Sequence, residues 1–250
     1  MLITPQYEAF YGSVERAGKH SIQTLFYHLA GFPLWPQDSY LVSGNTLFGG
    51  ELKVMEIKRN KASIVAGYAR GWTTMGAISL LLLGVGLFFI PEAPFPEDPM
   101  PLGHSILSYL LVAGGVGAAV LAVAAWFFTR GALSDVELAK RVIYEEFVGA
   151  PLDPAQLNDP WSIRDDLKRH LGSVGESGGL GRAFDRWPEV AMHPQLASPE
   201  VLRMALTLTR LCLASPEKEA PRDAATLASI HDAVWQRLVQ IDPSTLSRRP

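Results

Sequence analysis

Two uncharged apolar runs decide how this chain is read: WTTMGAISLLLLGVGLFFI (Trp72–Ile90) and ILSYLLVAGGVGAAVLAVAAWFF (Ile106–Phe128), joined by PEAPFPEDPMPLGH (Pro91–His104). Neither run contains Lys, Arg, Asp or Glu. At about 1.5 Å per residue, each is long enough as a helix to cross roughly 30 Å of hydrocarbon. The expectation is a transmembrane helical hairpin. The rival, a pair of core helices in a soluble fold, predicts that both runs are buried by the rest of the chain.

Charge around the runs gives the orientation. Lys53, Lys58, Arg59, Lys61 and Arg70 precede the first run and Arg130, Lys140 and Arg141 follow the second, whereas the connecting loop has Glu92, Glu97 and Asp98 and no Lys or Arg. By the positive-inside bias, both termini are expected in the cytoplasm, with the chain crossing the membrane twice. Five prolines (Pro91, Pro94, Pro96, Pro99 and Pro101) predict a stiff, non-helical loop on the far side. The opening MLITPQYEAFYG lacks a basic segment followed by an apolar one, so no cleavable signal peptide is expected and the first run acts as its own insertion signal.

Outward from the hairpin, the expected organisation is a small α+β cytoplasmic segment over 1–70, the hairpin over 72–128 and a cytoplasmic helical domain over 129–250, a mainly α membrane protein. In the first segment, Thr4-Pro5 predicts a short helix. Ile22, Leu25, Phe26 and Leu29 fall at helical spacing and predict another, ending at Gly31. Tyr7, Phe10, Tyr11, Phe26, Tyr27, Phe32 and Trp35 suit either a headgroup region or a small aromatic core. From Ser39 the β-branched and apolar residues, broken by Gly44-Asn45, Gly49-Gly50 and Arg59-Asn60-Lys61, predict two or three antiparallel strands reaching Ala62–Ala66. The basic turn at 59–61 suits contact with anionic lipid as well as a topological role.

Beyond the hairpin, Ser134-Asp135-Val136-Glu137 is a capping box, followed on one face by Val136, Ala139, Ile143 and Phe147 and ended by Gly149. A second helix is expected from Asp159-Pro160-Trp161 to Gly172, and a third and central one from Ser198-Pro199-Glu200 through VLRMALTLTRLCL. A fourth is expected over about Asp223–Ile241. Pro243–Pro250 is expected to fray.

Candidate chemistry is sparse. Gly175-Glu176-Ser177-Gly178-Gly179 fits G-x-S-x-G and resembles the nucleophile segment of chymotrypsin-like proteases, but a helix precedes it where a strand or a barrel is needed, so a flexible linker is expected. Gly181-Arg182-Ala183 replaces the Lys-Ser/Thr ending of a phosphate loop. His20, His28, His104, His170, His193 and His231 are scattered, Cys212 is the sole cysteine, and Asp165-Asp166 beside Lys168-Arg169 reads as a solvated face. His231 and Trp235, four apart, are placed to stack. A net charge of −3 gives no reason to expect nucleic acid as a partner. No catalytic, cofactor-binding or metal site is expected.

The candidate functional residues are therefore packing residues of the hairpin. Gly114, Ala118 and Ala122 are spaced by four, as are Gly115 and Ala119, and Gly84 and Gly86 offer close approach on the first run. This face packs the two helices on each other, or on a second copy or another membrane protein. Inside the hairpin the notable polar groups are Ser79, Ser108 and Tyr109, and the lack of ionisable residues argues against an ion pathway made by this chain alone.

Short strands running into Tyr68-Ala69-Arg70-Gly71-Trp72 and then a two-helix hairpin resemble uncharacterised proteobacterial two-pass inner-membrane proteins encoded near type VI secretion effectors. The resemblance covers roughly Ser39–Arg130. Those proteins commonly carry a strand-rich, Arg-containing segment after the second helix, where this chain has a helix pattern. It implies an accessory or immunity role beside a secreted toxin. The function expected is a non-enzymatic inner-membrane protein that presents cytoplasmic domains to a protein partner: a toxin, a secretion component or its own copy. The alternative is a subunit of a membrane-embedded enzyme or transport complex.

Overall fold

The computed structural model describes residues 8–43, 53–89, 101–180, 186–214 and 223–248. Four strands, β1 (Glu8–Ala17), β2 (His20–Leu29), β3 (Phe32–Ser43) and β4 (Lys53–Ile57), form one antiparallel sheet in the order β1-β2-β3-β4. Among the described residues seven helices follow: α1 (Lys61–Phe89), α2 (Pro101–Phe128), α3 (Asp135–Val148), α4 (Trp161–Ser177), α5 (Trp187–Met192), α6 (Pro199–Leu213) and α7 (Ala224–Ile241). The chain is mainly helical and divides into two compact units. One gathers α1 and α2 with most of β1, β2 and β3, and the other gathers β4 with α3 to α7.

The N-terminal part departs from expectation. Among the described residues before α1 it is all strand, with no helix over Ile22–Leu29. Ile22, Thr24 and Phe26 point inward at a period of two and are each 0% exposed, while Tyr27 and Leu29 face outward. The polar Thr24 in the inward row and the apolar Leu29 in the outward row disguise the alternation. The expected stop at Gly31 is instead a two-residue hairpin turn, Ala30-Gly31, with both φ values positive (50° and 86°). The helix expected at Thr4-Pro5 and the turns at Gly44-Asn45 and Gly49-Gly50 lie outside the described residues.

Ala62–Ala66, expected to be strand, forms the first turns of α1. Asn60 sets the start: its Oδ1 accepts from the Ser63 amide at 2.9 Å. A relay of hydroxyls then fastens this helix end to the sheet. The Asn60 amide donates to Ser39 Oγ (2.9 Å), Ser39 and Thr24 share a hydrogen bond (2.9 Å), Thr24 donates to Ser63 Oγ (3.0 Å), and Ser63 donates to the Gly12 carbonyl (2.8 Å). Every hydroxyl in this buried row has a partner, the condition under which a polar core is tolerated. Gly12, at φ 70°, is required here: a Cβ would lie 1.9 Å from the Ser63 carbonyl oxygen.

The expected proline-rich loop shortens at its far end, because Pro101 opens α2, where a missing amide costs nothing. Residues 90–100 lie outside the described ones.

In the second unit α6 is central, packed against α3, α4, α5 and α7. Ten of its residues, from Val201 to Cys212, are buried. The capped starts form at Ser134, whose hydroxyl accepts from the Glu137 amide, at Ser198 and at Asp223, and Gly149 closes α3 at φ 79°. α4 runs past Gly172 to Ser177, so the expected linker begins as helix. The short helix α5, not among the expected helices, buries Trp187 completely. The tail expected to fray forms a 3-10 turn over Pro243–Ser247, with Thr245 buried and Arg248 paired to Glu146 and Asp242.

Ser63→Ala removes the donor to Gly12 and the acceptor for Thr24. It should destabilise the first unit by about 1–3 kcal/mol, as read by thermal unfolding in detergent.

Candidate functional site: the apolar hairpin and the clasp at its base

α1 is smooth on one side along Ser63, Gly67 and Gly71, a small residue every fourth position. A Cβ on Gly67 would lie 2.7 Å from the Phe26 ring, and one on Gly71 would lie 2.5 Å from the Pro33 ring. The sheet therefore rests directly on the helix backbone. This stripe precedes the apolar runs, and the four-residue spacing of Ser63, Gly67 and Gly71 is its signal in the sequence.

Just past the stripe, polar side chains tie the sheet to the start of the apolar run. Tyr68 donates to the Leu34 carbonyl (2.9 Å) and the Trp72 indole to the Pro33 carbonyl (3.1 Å). Arg70, only 7% exposed, donates from Nη1 to the Ser13 carbonyl and from Nε to Thr129 Oγ1, both at 2.8 Å. Thr129 in turn donates to the Ala125 carbonyl (2.6 Å), so Arg70 joins β1, α1 and the end of α2. Its guanidinium carbon lies 4.9 Å from the centroid of Trp126. The Tyr-x-Arg-Gly-Trp motif behind the resemblance is, in this chain, a structural clasp.

Beyond the clasp α1 packs on α2. Of the expected packing residues, Gly84 and Gly115 are buried at the contact: a Cβ on Gly84 would meet the Val112 amide at 2.9 Å, and one on Gly115 would meet the Leu81 amide at 3.0 Å. Ala118, Ala119 and Ala122 are half-buried. Gly114 stands at ordinary contact distance from Leu80, and a Cβ on Gly86 would meet nothing within 4 Å. Within the chain, Gly84 and Gly115 thus each lie at the contact between α1 and α2, and Gly86 is left outward. Ser108 is buried and Tyr109 is 66% exposed.

The remaining surface of the hairpin is apolar and open. Leu82, Leu83, Leu110, Val120, Leu121, Phe127 and Phe128 are each at least 60% exposed. In the most apolar window of each helix, the chain itself buries only 22% of α1 and 11% of α2. On the sheet, Leu29 and Trp35 are 63% and 73% exposed, flanking a turn whose Gly31 abuts Met75 of α1.

Ser177 lies in the last turn of α4 and donates to the Ser173 and Val174 carbonyls, a helical arrangement unlike a nucleophile elbow. Asp165 pairs with Arg164 and Asp166 with Arg169, but Lys168 is buried, so the expected solvated face holds only in part. Cys212 is buried in α6. Among the described residues no group of His, Cys, Asp and Glu is placed to hold a metal ion. Asp153 and Arg210 form a two-pronged ion pair; burial alone would raise the carboxyl, and Arg210 holds it below its ordinary value.

His231 and Trp235 find different partners: the imidazole Nε2 lies 3.2 Å from the Tyr144 hydroxyl, and Lys140 lies over the Trp235 ring. Burial and the Lys140 charge push His231 below its ordinary value against the opposing pull of Asp232, while burial raises the Tyr144 phenol. A neutral imidazole donating from Nδ1 toward Asp232 and accepting from Tyr144 satisfies all three.

Comparison with protein-family models, with curated proteins and with solved structures finds no match.

Two outcomes follow from these contacts. Gly84→Leu and Gly115→Leu should each destabilise the hairpin by about 1–3 kcal/mol in detergent, while Gly86→Leu leaves its thermal midpoint unchanged. For His231, the folded value lies below the ordinary 6.5 of a free imidazole, so the unfolded chain takes up the proton first. Stability of the second unit should be complete above that pH and fall as pH drops through it, and His231→Gln should flatten the dependence in unfolding curves.

Proposed function

We propose that this chain is a non-enzymatic, two-pass inner-membrane protein whose hairpin holds a helical domain on the cytoplasmic side for contact with another protein. The observation that carries the membrane reading is the exposure of the hairpin. Core helices of a soluble protein are covered by their own chain, whereas the outward faces of α1 and α2 carry large apolar side chains in the open from Ile78 to Val85 and from Ile106 to Phe128. The rise of α1 is about 1.5 Å per residue, so its stretch past Trp72 still suffices for a bilayer after the first turns are spent on the sheet. Trp72 and Trp126 flank that stretch on the clasp side, as interfacial aromatics do.

The cytoplasmic placement of both ends follows from the distribution of Lys and Arg, which favours Lys58, Arg59, Lys61 and Arg130 on the inside. The partner reading is supported by a second unit made of capped, mutually packed helices. On the resemblance alone, that partner is a toxin or a secretion component.

Reporter fusions test the arrangement. A periplasm-dependent reporter placed after Pro96 should be active and the same reporter at the C-terminus silent, with the protein retained in the membrane pellet after alkaline carbonate. Silence at both positions, or release by carbonate, contradicts the reading. Repeated purification from detergent with no specific companion protein contradicts the partner role.

A further inference from the structure

We propose that the base of the hairpin binds the phosphate of an anionic lipid headgroup between Arg16, Arg70 and Arg130, beside the Trp126 indole. The inference rests on the reading of the hairpin as membrane-spanning and adds to it a defined lipid site.

The cations converge from separate elements. Arg16 lies next to the end of β1, Arg70 lies in α1 and Arg130 follows α2. Arg70 and Arg130 share one ring: their guanidinium carbons lie 4.9 and 5.6 Å from the Trp126 centroid, and Arg130 is also 5.6 Å from that of Phe127. Arg16 Nε donates to Ser13 Oγ at 3.4 Å, on the same residue whose carbonyl accepts from Arg70, and the charges of Arg16 and Arg130 both act on Arg70. Like charges gathered this way repel, and an anion between them relieves the repulsion.

The second observation is independent of charge. Arg70 is buried and uses Nε and Nη1 on Thr129 and Ser13, yet its buried Nη2 has no hydrogen-bond partner among the described residues. A buried guanidinium donor left unmet is costly, and a phosphate oxygen is the acceptor whose geometry suits a guanidinium fork. Glu15, beside Arg16, accepts from Asn60 Nδ2 at 3.4 Å.

Position selects the source of the phosphate. Phe127 and Phe128 are 66% and 88% exposed next to the site, so an occupant must meet apolar surface and cations together. A lipid headgroup with its acyl chains along α2 does so, and a free phosphate ion does not. Cations at the cytoplasmic face are also where anionic lipid is attracted.

The test uses the full chain in a neutral detergent, with native mass spectrometry counting bound lipid. Phosphatidylglycerol should be retained in preference to phosphatidylcholine, and inorganic phosphate should not displace it. Arg16→Gln with Arg130→Gln should reduce that preference roughly fivefold for each cation removed. Both residues are exposed, so the clasp made by Arg70 stays intact, and Arg169→Gln in the second unit should leave the preference unchanged. Equal retention of the two lipids, an unaltered preference in the double variant, or displacement by inorganic phosphate would overturn the site. Carbonate extraction of the same preparation separates the two claims: a membrane-retained protein without lipid preference defeats the site alone, whereas release defeats the membrane reading as well.

Discussion

The first unit depends on α1 being smooth where other backbone must reach it. Gly67 and Gly71 bring the sheet onto the helix, and Gly84, with Gly115 opposite, brings α2 onto it farther along. Close approach in both places rests on missing side chains, and dispersion contacts are lost quickly when surfaces are pushed apart by even one methyl group. Polar groups then set the register. The hydroxyl relay through Ser39, Thr24 and Ser63 fixes the start of α1, and Arg70 fixes the end of α2 to the same helix.

What the chain leaves uncovered follows from that economy. Helices that meet through glycine and alanine keep their leucines, valines and phenylalanines for the outside. Fully exposing a Leu or Phe to water forgoes about 1.5–3 kcal/mol relative to burial, and this hairpin repeats that cost along both helices. In hydrocarbon the same faces cost nothing, and every backbone donor past the first turn is satisfied within its own helix. The clasp, by contrast, is polar, aromatic and cationic, the composition suited to the boundary between lipid and water. The lipid site proposed at Arg16, Arg70 and Arg130 uses that boundary.

The hairpin was legible in the sequence because length and uniform hydropathy do not depend on tertiary context. The capped starts of α3, α6 and α7 were legible because Ser134, Ser198 and Asp223 act on their own amides. Strand β2 was not, since Thr24 occupies a core position only by virtue of partners far away in sequence, Ser39 and Ser63. The β-branched Ile64 and Val65 suggested strand, and the local cap at Asn60 overrode them. In α4, Gly172 and Gly175 looked like breakers, yet Gly172 is buried and a Cβ on Gly175 would lie 2.9 Å from Val190, so packing makes them part of the helix. Among the packing residues, nothing local distinguishes Gly84 from Gly86; only the contact with Val112 does.

The central claim, that lipid covers the outward face of α1 and α2, is tested most directly by thiol accessibility in intact membranes. In a Cys212→Ser background, Leu82→Cys and Val120→Cys occupy positions that are 69% and 64% exposed in the protein itself. With Ser162→Cys, on the open surface of α4, as the reactive control, a water-soluble maleimide should leave both hairpin cysteines unlabelled until detergent is added. Rapid labelling of either one in the sealed membrane would contradict the account.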